Sequence, residues 1–282
     1  MKTIHMIDNY KILCKEADNS GKFEAYKAYT QKYPSFFRGV FQYLYCQPIE
    51  NLKPMIEQVD FQVLLQIAEE NYQQGKVDYI INSIHEFAER MHVDFDFTFL
   101  LGLELSNIGG CATPSDTGEP HLYIGIDKPL TKEWIDTFVP HEMFHMARHH
   151  ITQDSNSETV FSRTIEEGLA SYASLWFHHM KWNVTNIARV LGVSEKQAEN
   201  LTRETDILIE KLILDGDKPI SFETMGEYFV AQASDVELPV IGYYVGLYLT
   251  HLSIKNGVEF ERFISMPRNE IIDMWFKHLP IC

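Results

Sequence analysis

Apolar residues in the first third of the chain recur at helical spacing. Phe61, Leu64, Leu65 and Ala68 share one face of a 3.6-residue period, and Ile80, Ile81, Ile84, Phe87 and Met91 share another. The pattern predicts helix across residues 1–92. From Val93 the period changes. The run DFDFTFLLGLEL (94–105) starts with strict alternation and is rich in Phe and Leu, which predicts a strand, and HLYIGID (121–127) predicts a second. Between them, SNIGGCATPSDTGEP (106–120) has the composition of a loop. Thr131, after Pro129, is placed to cap a helix in which Trp134, Ile135, Phe138 and Val139 repeat at helical spacing. Everything beyond reads mainly as helix. The expectation is an α+β chain, mainly α, with an N-terminal helical region (1–92) and a second domain (93–282). There is no internal repeat and no low-complexity linker.

Composition narrows the partners. The chain of 282 residues has a net charge of −16, which argues against nucleic acid or an anionic membrane surface, both of which need clustered Lys and Arg. Its longest apolar stretch, near Pro239 to Leu249, is too short to span a bilayer. The start, MKTIHMIDNYKIL, lacks the long apolar core and cleavage site of a signal peptide, so a cytoplasmic location is expected. Cys14, Cys46, Cys111 and Cys282 lie far apart without a C-x-x-C pair, and are expected to be reduced thiols. A metal site in this chain must therefore use His and carboxylate.

Such a site is written in FVPHEMFHMARHH (138–150). His141 and His145 are four residues apart, so a helix brings both imidazoles to one face, where they can share a Zn²⁺. Glu142 is rotated roughly 100° from His141 and flanks the metal, where it can take a proton from a metal-activated water. With 12 His and 25 Glu in the chain, composition alone yields roughly 0.04 accidental H-E-x-x-H matches. Pro140 either kinks this helix or starts it. In both cases the histidine pair lies downstream in a segment without Gly or Pro. His149 and His150 are expected to be solvated charges at the helix end.

A catalytic zinc needs a third protein ligand. A metzincin would have Gly at 148 and His at 151, but the chain has Arg148 and Ile151. The next candidate is TIEEGLASYAS (164–174), read as a second helix with an acidic first turn. Wheel positions do not separate Glu166 from Glu167.

The pair H-E-x-x-H and E-G-L-A, about two dozen residues apart, resembles the gluzincin metallopeptidases, and among them bacterial predicted zinc-dependent proteases grouped as a domain of unknown function. The resemblance covers roughly residues 95–270 and implies a zincin-like fold, with a small sheet beside the H-E-x-x-H helix. It implies Zn²⁺ held by His141, His145 and Glu167, with Glu166 as the fallback, and Glu142 as the catalytic base. Many gluzincins orient a zinc histidine from an acidic residue four after the ligand glutamate. Here that position is Ser171, so support must come from elsewhere. The resemblance also makes the second strand, Leu122 to Ile126, a sheet edge that pairs with an extended peptide. In PVIGYYVGLYLTHLSIKNGVEFERFIS (239–265) it places Tyr243, with Tyr244 as its neighbour, as donor to the oxyanion.

Two other classes remain to be tested. NIARVLGVSEKQAENL (186–201) resembles a DNA-reading helix-turn-helix, yet Ser194 and Gln197 equally form a capping box. Residues 181–211 hold five basic and five acidic side chains, so no cationic face is available for phosphate. A non-catalytic zinc module is the second alternative, and Glu142 argues against it, since a structural zinc has no use for a base there. The expected substrate is a peptide or protein. No segment resembles the G-x-M-E-N element that grips a free N-terminus, which favours an endopeptidase.

Overall fold

Two runs of the sequence are apolar at nearly every position, and both become strands buried on both faces. In the computed structural model these are β2 (Thr98–Gly102) and β4 (Pro120–Gly125). The structure describes residues 1–105, 109–114, 118–153, 159–230 and 236–278. The protein is mainly helical with a small mixed sheet of four strands in the order β1-β2-β4-β3, as the α+β expectation requires. The chain divides into two compact units, Met1–Ile135 and Asp136–Cys282.

In the first unit the helices are α1 (Ile7–Ser20), α2 (Lys22–Thr30), α3 (Pro34–Gly39), α4 (Lys53–Ile56), α5 (Phe61–Gln73) and α6 (Lys76–Arg90). The apolar spacings of α5 and α6 carry over: Phe61, Ala68, Ile80, Ile84 and Phe87 are buried. Asp60 caps α5 by accepting hydrogen bonds from the Gln62 and Val63 amides. Asn71 of α5 donates to the Ile126 and Lys128 carbonyls, at 2.9 and 2.8 Å, and so holds the segment that leaves β4.

The sheet corrects three expectations. β1 (Lys2–His5) lies inside the region read as helix, and it pairs in parallel with β2 through Lys2↔Thr98 to His5↔Leu101. Four residues are too few for a period to declare itself. This pairing groups residues 2–5 with the sheet, within the unit Met1–Ile135. β3 (Gly110–Pro114) lies inside the stretch read as loop. Its sequence, GCATP, lacks the aromatic and Val or Ile signal of a strand. It pairs antiparallel with β4, from Gly110↔Ile124 to Pro114↔Pro120. The third correction concerns β4, which is no sheet edge. It is bonded to β2 on one side and β3 on the other, so Leu122 to Ile126 have no free backbone to offer an extended peptide. The loop expectation at 106–108 and 115–117 falls outside the described residues.

The second unit contains most of α7 (Lys132–Thr152), then α8 (Val160–Phe177), α9 (Val184–Leu191), α10 (Glu195–Arg203), α11 (Thr205–Asp215), α12 (Phe222–Tyr228), α13 (Ile241–Lys255) and α14 (Arg268–His278). Thr131 caps α7 as expected, its hydroxyl accepting from the Trp134 amide at 3.1 Å. Pro140 lies inside this 21-residue helix, not at its start. α8 starts with a capping box between Thr159 and Ser162 and is buried along almost its whole length. Ser194 and Gln197 form the expected capping box of α10, after a left-handed Gly192 that ends α9. The helix-turn-helix resemblance is thus a helical hairpin in shape, with balanced charge. No helix among the described residues is long and apolar enough to cross a membrane. Cys14, Cys46 and Cys111 form no disulfide among the described residues, while Cys282 lies outside them.

Candidate metal centre

Helix periodicity sets the first half of the site. On α7 the Nε2 atoms of His141 and His145 stand 3.1 Å apart. The second half arrives from α8, where Glu167 Oε2 is 3.4 Å from His141 Nε2 and 3.3 Å from His145 Nε2. Bonds of ~2.0–2.1 Å to a tetrahedral ion put ligand atoms roughly 3.3 Å apart. The three separations are the edges of such a tetrahedron's face, so the residues fit a small dication. Glu142 is half-buried on the same helix, next in sequence to His141.

The electrostatics favour an ionised Glu167 beside the two histidines. Burial disfavours an ionised Glu167, but the attraction of His145, hydrogen bonds from His141 and His145, and Arg163 outweigh it and hold the carboxyl well below the usual range. Burial likewise opposes a charged His145, yet Glu167 and the further carboxylates Glu142 and Glu166 raise its pKa. Among the described residues, His145 Nδ1 and the hydroxyl of Ser171 are both buried without a hydrogen-bond partner.

The structure separates the two pairs of alternatives that spacing left open. Glu166 turns away from the histidine pair. Its carboxylate accepts from Arg148 Nε at 3.1 and 3.2 Å and from Arg268 Nε at 3.1 Å. Arg148, wholly buried, also donates to the Phe263 and Met266 carbonyls. Glu166, His145 and His149 form a second group with ligand atoms in reach of one another, but two guanidinium groups already balance that carboxylate. The Tyr243 ring stacks on His141 at a centroid distance of 6.3 Å and an interplanar angle of 17°. Its phenol is pushed well up by burial, by the charge of Glu167 and by a hydrogen bond with that carboxylate. Tyr244 instead points into the core and shares a 2.6 Å hydrogen bond with Thr205.

His149 is not a solvated charge. It is half-buried, its ring stacks on His145 with centroids 5.6 Å apart, and burial pushes its pKa down to about 4, so it is neutral at pH 7. His150 is also half-buried.

Three contributors escaped the sequence pattern. Arg163 NH2 lies 3.0 Å from Glu167 Oε1, and its i,i+4 spacing to Glu167 was the available signal. Arg148 sits one turn after His145, but nothing in the sequence says that α7 buries that face. The third is the glycine of the E-G pair. Gly168 has no Cβ because the backbone of α13 passes there, at Gly246 and Leu247. That crossing brings Tyr243, three residues before Gly246, to the side of α8 that carries Glu167. Comparison with family models, with curated proteins and with solved structures gives no match to this chain.

Proposed function

We propose that the chain is a zinc-dependent peptidase with a zincin-like catalytic unit, in which His141, His145 and Glu167 hold the ion. The observation that carries this is the convergence of three ligand atoms at 3.1, 3.3 and 3.4 Å from two helices, with Glu142 next to the first histidine. Zn²⁺ bound there would act as a Lewis acid on the water nucleophile and on the scissile carbonyl. Glu142 accepts the proton of the attacking water and passes it to the leaving amine. Tyr243, already stacked on His141, donates to the oxyanion as charge develops there. Glu167 stays ionised throughout, because its surroundings hold its pKa so low. The substrate is a peptide or protein.

The test combines metal content with turnover. Protein purified without chelator is expected to carry stoichiometric zinc, and His141→Ala to lose it. Glu142→Gln should keep the zinc and lose turnover on a peptide library by at least the roughly 10²–10⁴-fold typical of a general base. Absence of zinc in the wild type, with His141→Ala behaving identically, rejects the proposal. Zinc bound in the wild type without turnover, or turnover that is the same in Glu142→Gln, leaves the zinc a non-catalytic role.

A further inference from the structure

Glu167 has two oxygens, and the structure commits them to different partners. Oε2 stands at 3.3 and 3.4 Å from the two histidines, while Oε1 lies 3.0 Å from Arg163 NH2. Arg163 precedes Glu167 by one helical turn, so α8 itself keeps the pair in register. The guanidinium is also supported from outside the helix. Its central carbon sits 5.7 Å from the centroid of the Phe229 ring. Phe229 is fixed in turn: it is buried, its Cζ lies 2.8 Å from where a Gly242 Cβ would stand, and its ring meets Tyr243 edge-on at 6.1 Å. One aromatic ring therefore props both the cation behind Glu167 and the tyrosine beside His141.

We propose that Arg163, braced on Phe229, is a positioning residue of the metal centre: it holds Glu167 Oε1 so that Oε2 alone faces His141 and His145. This rests on the metal-centre proposal above.

Two effects of Arg163 on a bound dication have opposite signs. As a nearby cation it repels the ion, and as a donor it holds a ligand in place. The Arg163 side chain is 33% exposed, so water screens its repulsion, whereas Glu167 is only 8% exposed and its charge-assisted hydrogen bond is little screened. Positioning wins, and loss of Arg163 weakens the metal.

The experiment measures Zn²⁺ affinity of the full chain by competition with a chromophoric chelator, beside the visible spectrum of the Co²⁺ form. Arg163→Met is expected to weaken Zn²⁺ roughly 10–100-fold, the usual effect of removing an outer partner of a ligand, and to alter the Co²⁺ bands. Arg163→Lys, which keeps a charged donor, should restore most of the affinity and the wild-type spectrum. Thermal unfolding of the metal-free forms checks that the fold is intact. If Arg163→Met does not fold, Phe229→Leu removes the brace, together with the ring edge against Tyr243, and carries the same expectation of weaker Zn²⁺. Zn²⁺ binding as tight as wild type or tighter, with an unchanged Co²⁺ spectrum, overturns the role of Arg163 and leaves the metal centre standing. A wild type that binds neither Zn²⁺ nor Co²⁺ overturns both.

Discussion

Gly168 and Gly246 meet backbone to backbone where α8 crosses α13. A Cβ on Gly168 would stand 2.7 Å from Leu247 N, and one on Gly246 would stand 2.8 Å from Gly168 Cα. Neither neighbour is a side chain that can swing away. Gly168→Ala and Gly246→Ala are each expected to destabilise by about 1–3 kcal/mol or more, read from the urea midpoint at constant m-value. Since the crossing also sets Glu167 against Tyr243, both variants should bind zinc more weakly in the protein that still folds. An alanine tolerated at both positions without change would mean that the helices lie further apart.

Glu166 and Glu167 are adjacent and should fail in different ways. Glu166→Gln takes the counter-charge from the buried Arg148 and weakens the contact with the half-buried Arg268, and is expected to cost roughly 3–5 kcal/mol of stability while folded protein still binds zinc. Glu167→Gln removes a ligand and should abolish stoichiometric zinc with a smaller loss of stability. Chemical denaturation and metal analysis on the same two preparations decide it. Zinc lost from Glu166→Gln and kept in Glu167→Gln would reverse the assignment.

Tyr243 and Tyr244 offer a second contrast. Tyr243→Phe removes a donor at the site along with its hydrogen bond to Glu167, and should lower kcat by roughly 10²–10³-fold per folded molecule. Tyr244→Phe leaves the Thr205 hydroxyl without its 2.6 Å partner, so it should lose about 1–2 kcal/mol of stability and no activity per folded molecule. Equal kcat values for Tyr243→Phe and wild type would exclude the phenol from the chemistry.

Two histidines outside the proposed ligand set make stability depend on pH in a defined direction. Burial pushes His149 down to about 4, and His251, stacked on Trp182, is likewise pushed to about 4. Their unfolded forms titrate near ~6.5, so between about 6.5 and 4 the unfolded chain binds more protons, and stability falls as pH falls through that window. Asp127, pushed up to about 8 by burial, acts in the opposite sense, its contribution being lost as pH rises towards 8. The check therefore compares slopes in metal-free protein. His149→Gln should show a shallower loss between pH 6.5 and 4.5 than wild type, and parallel curves for the two would refute the assignment.

How much of this is legible in the chain follows from the range of each interaction. Local period places His141, Glu142 and His145 on one helix, because four residues make one turn and no distant contact is needed. Caps such as Thr131 and Ser194 with Gln197 are equally local, and both are found where the residues indicate. The resemblance names Glu167 and Tyr243, but residues 164–174 by themselves leave Glu166 and Glu167 equivalent on the helical wheel. Only tertiary packing separates them: Arg148 and Arg268 claim Glu166, and the glycine crossing with α13 turns Glu167 to the histidines. The same holds for the strands. β3 has a weak local signal and exists through its backbone pairing with β4, which is also why β4 lies inside the sheet and not at its edge. His149 reads as a helix-end charge in sequence and is neutral in the fold, since burial is a property of the neighbours that α8 and α14 bring. The sequence alone determined that His141, Glu142 and His145 share one turn of one helix. Tertiary structure decided which carboxylate, which tyrosine and which outer cation join them, because those contacts span helices that no local pattern links.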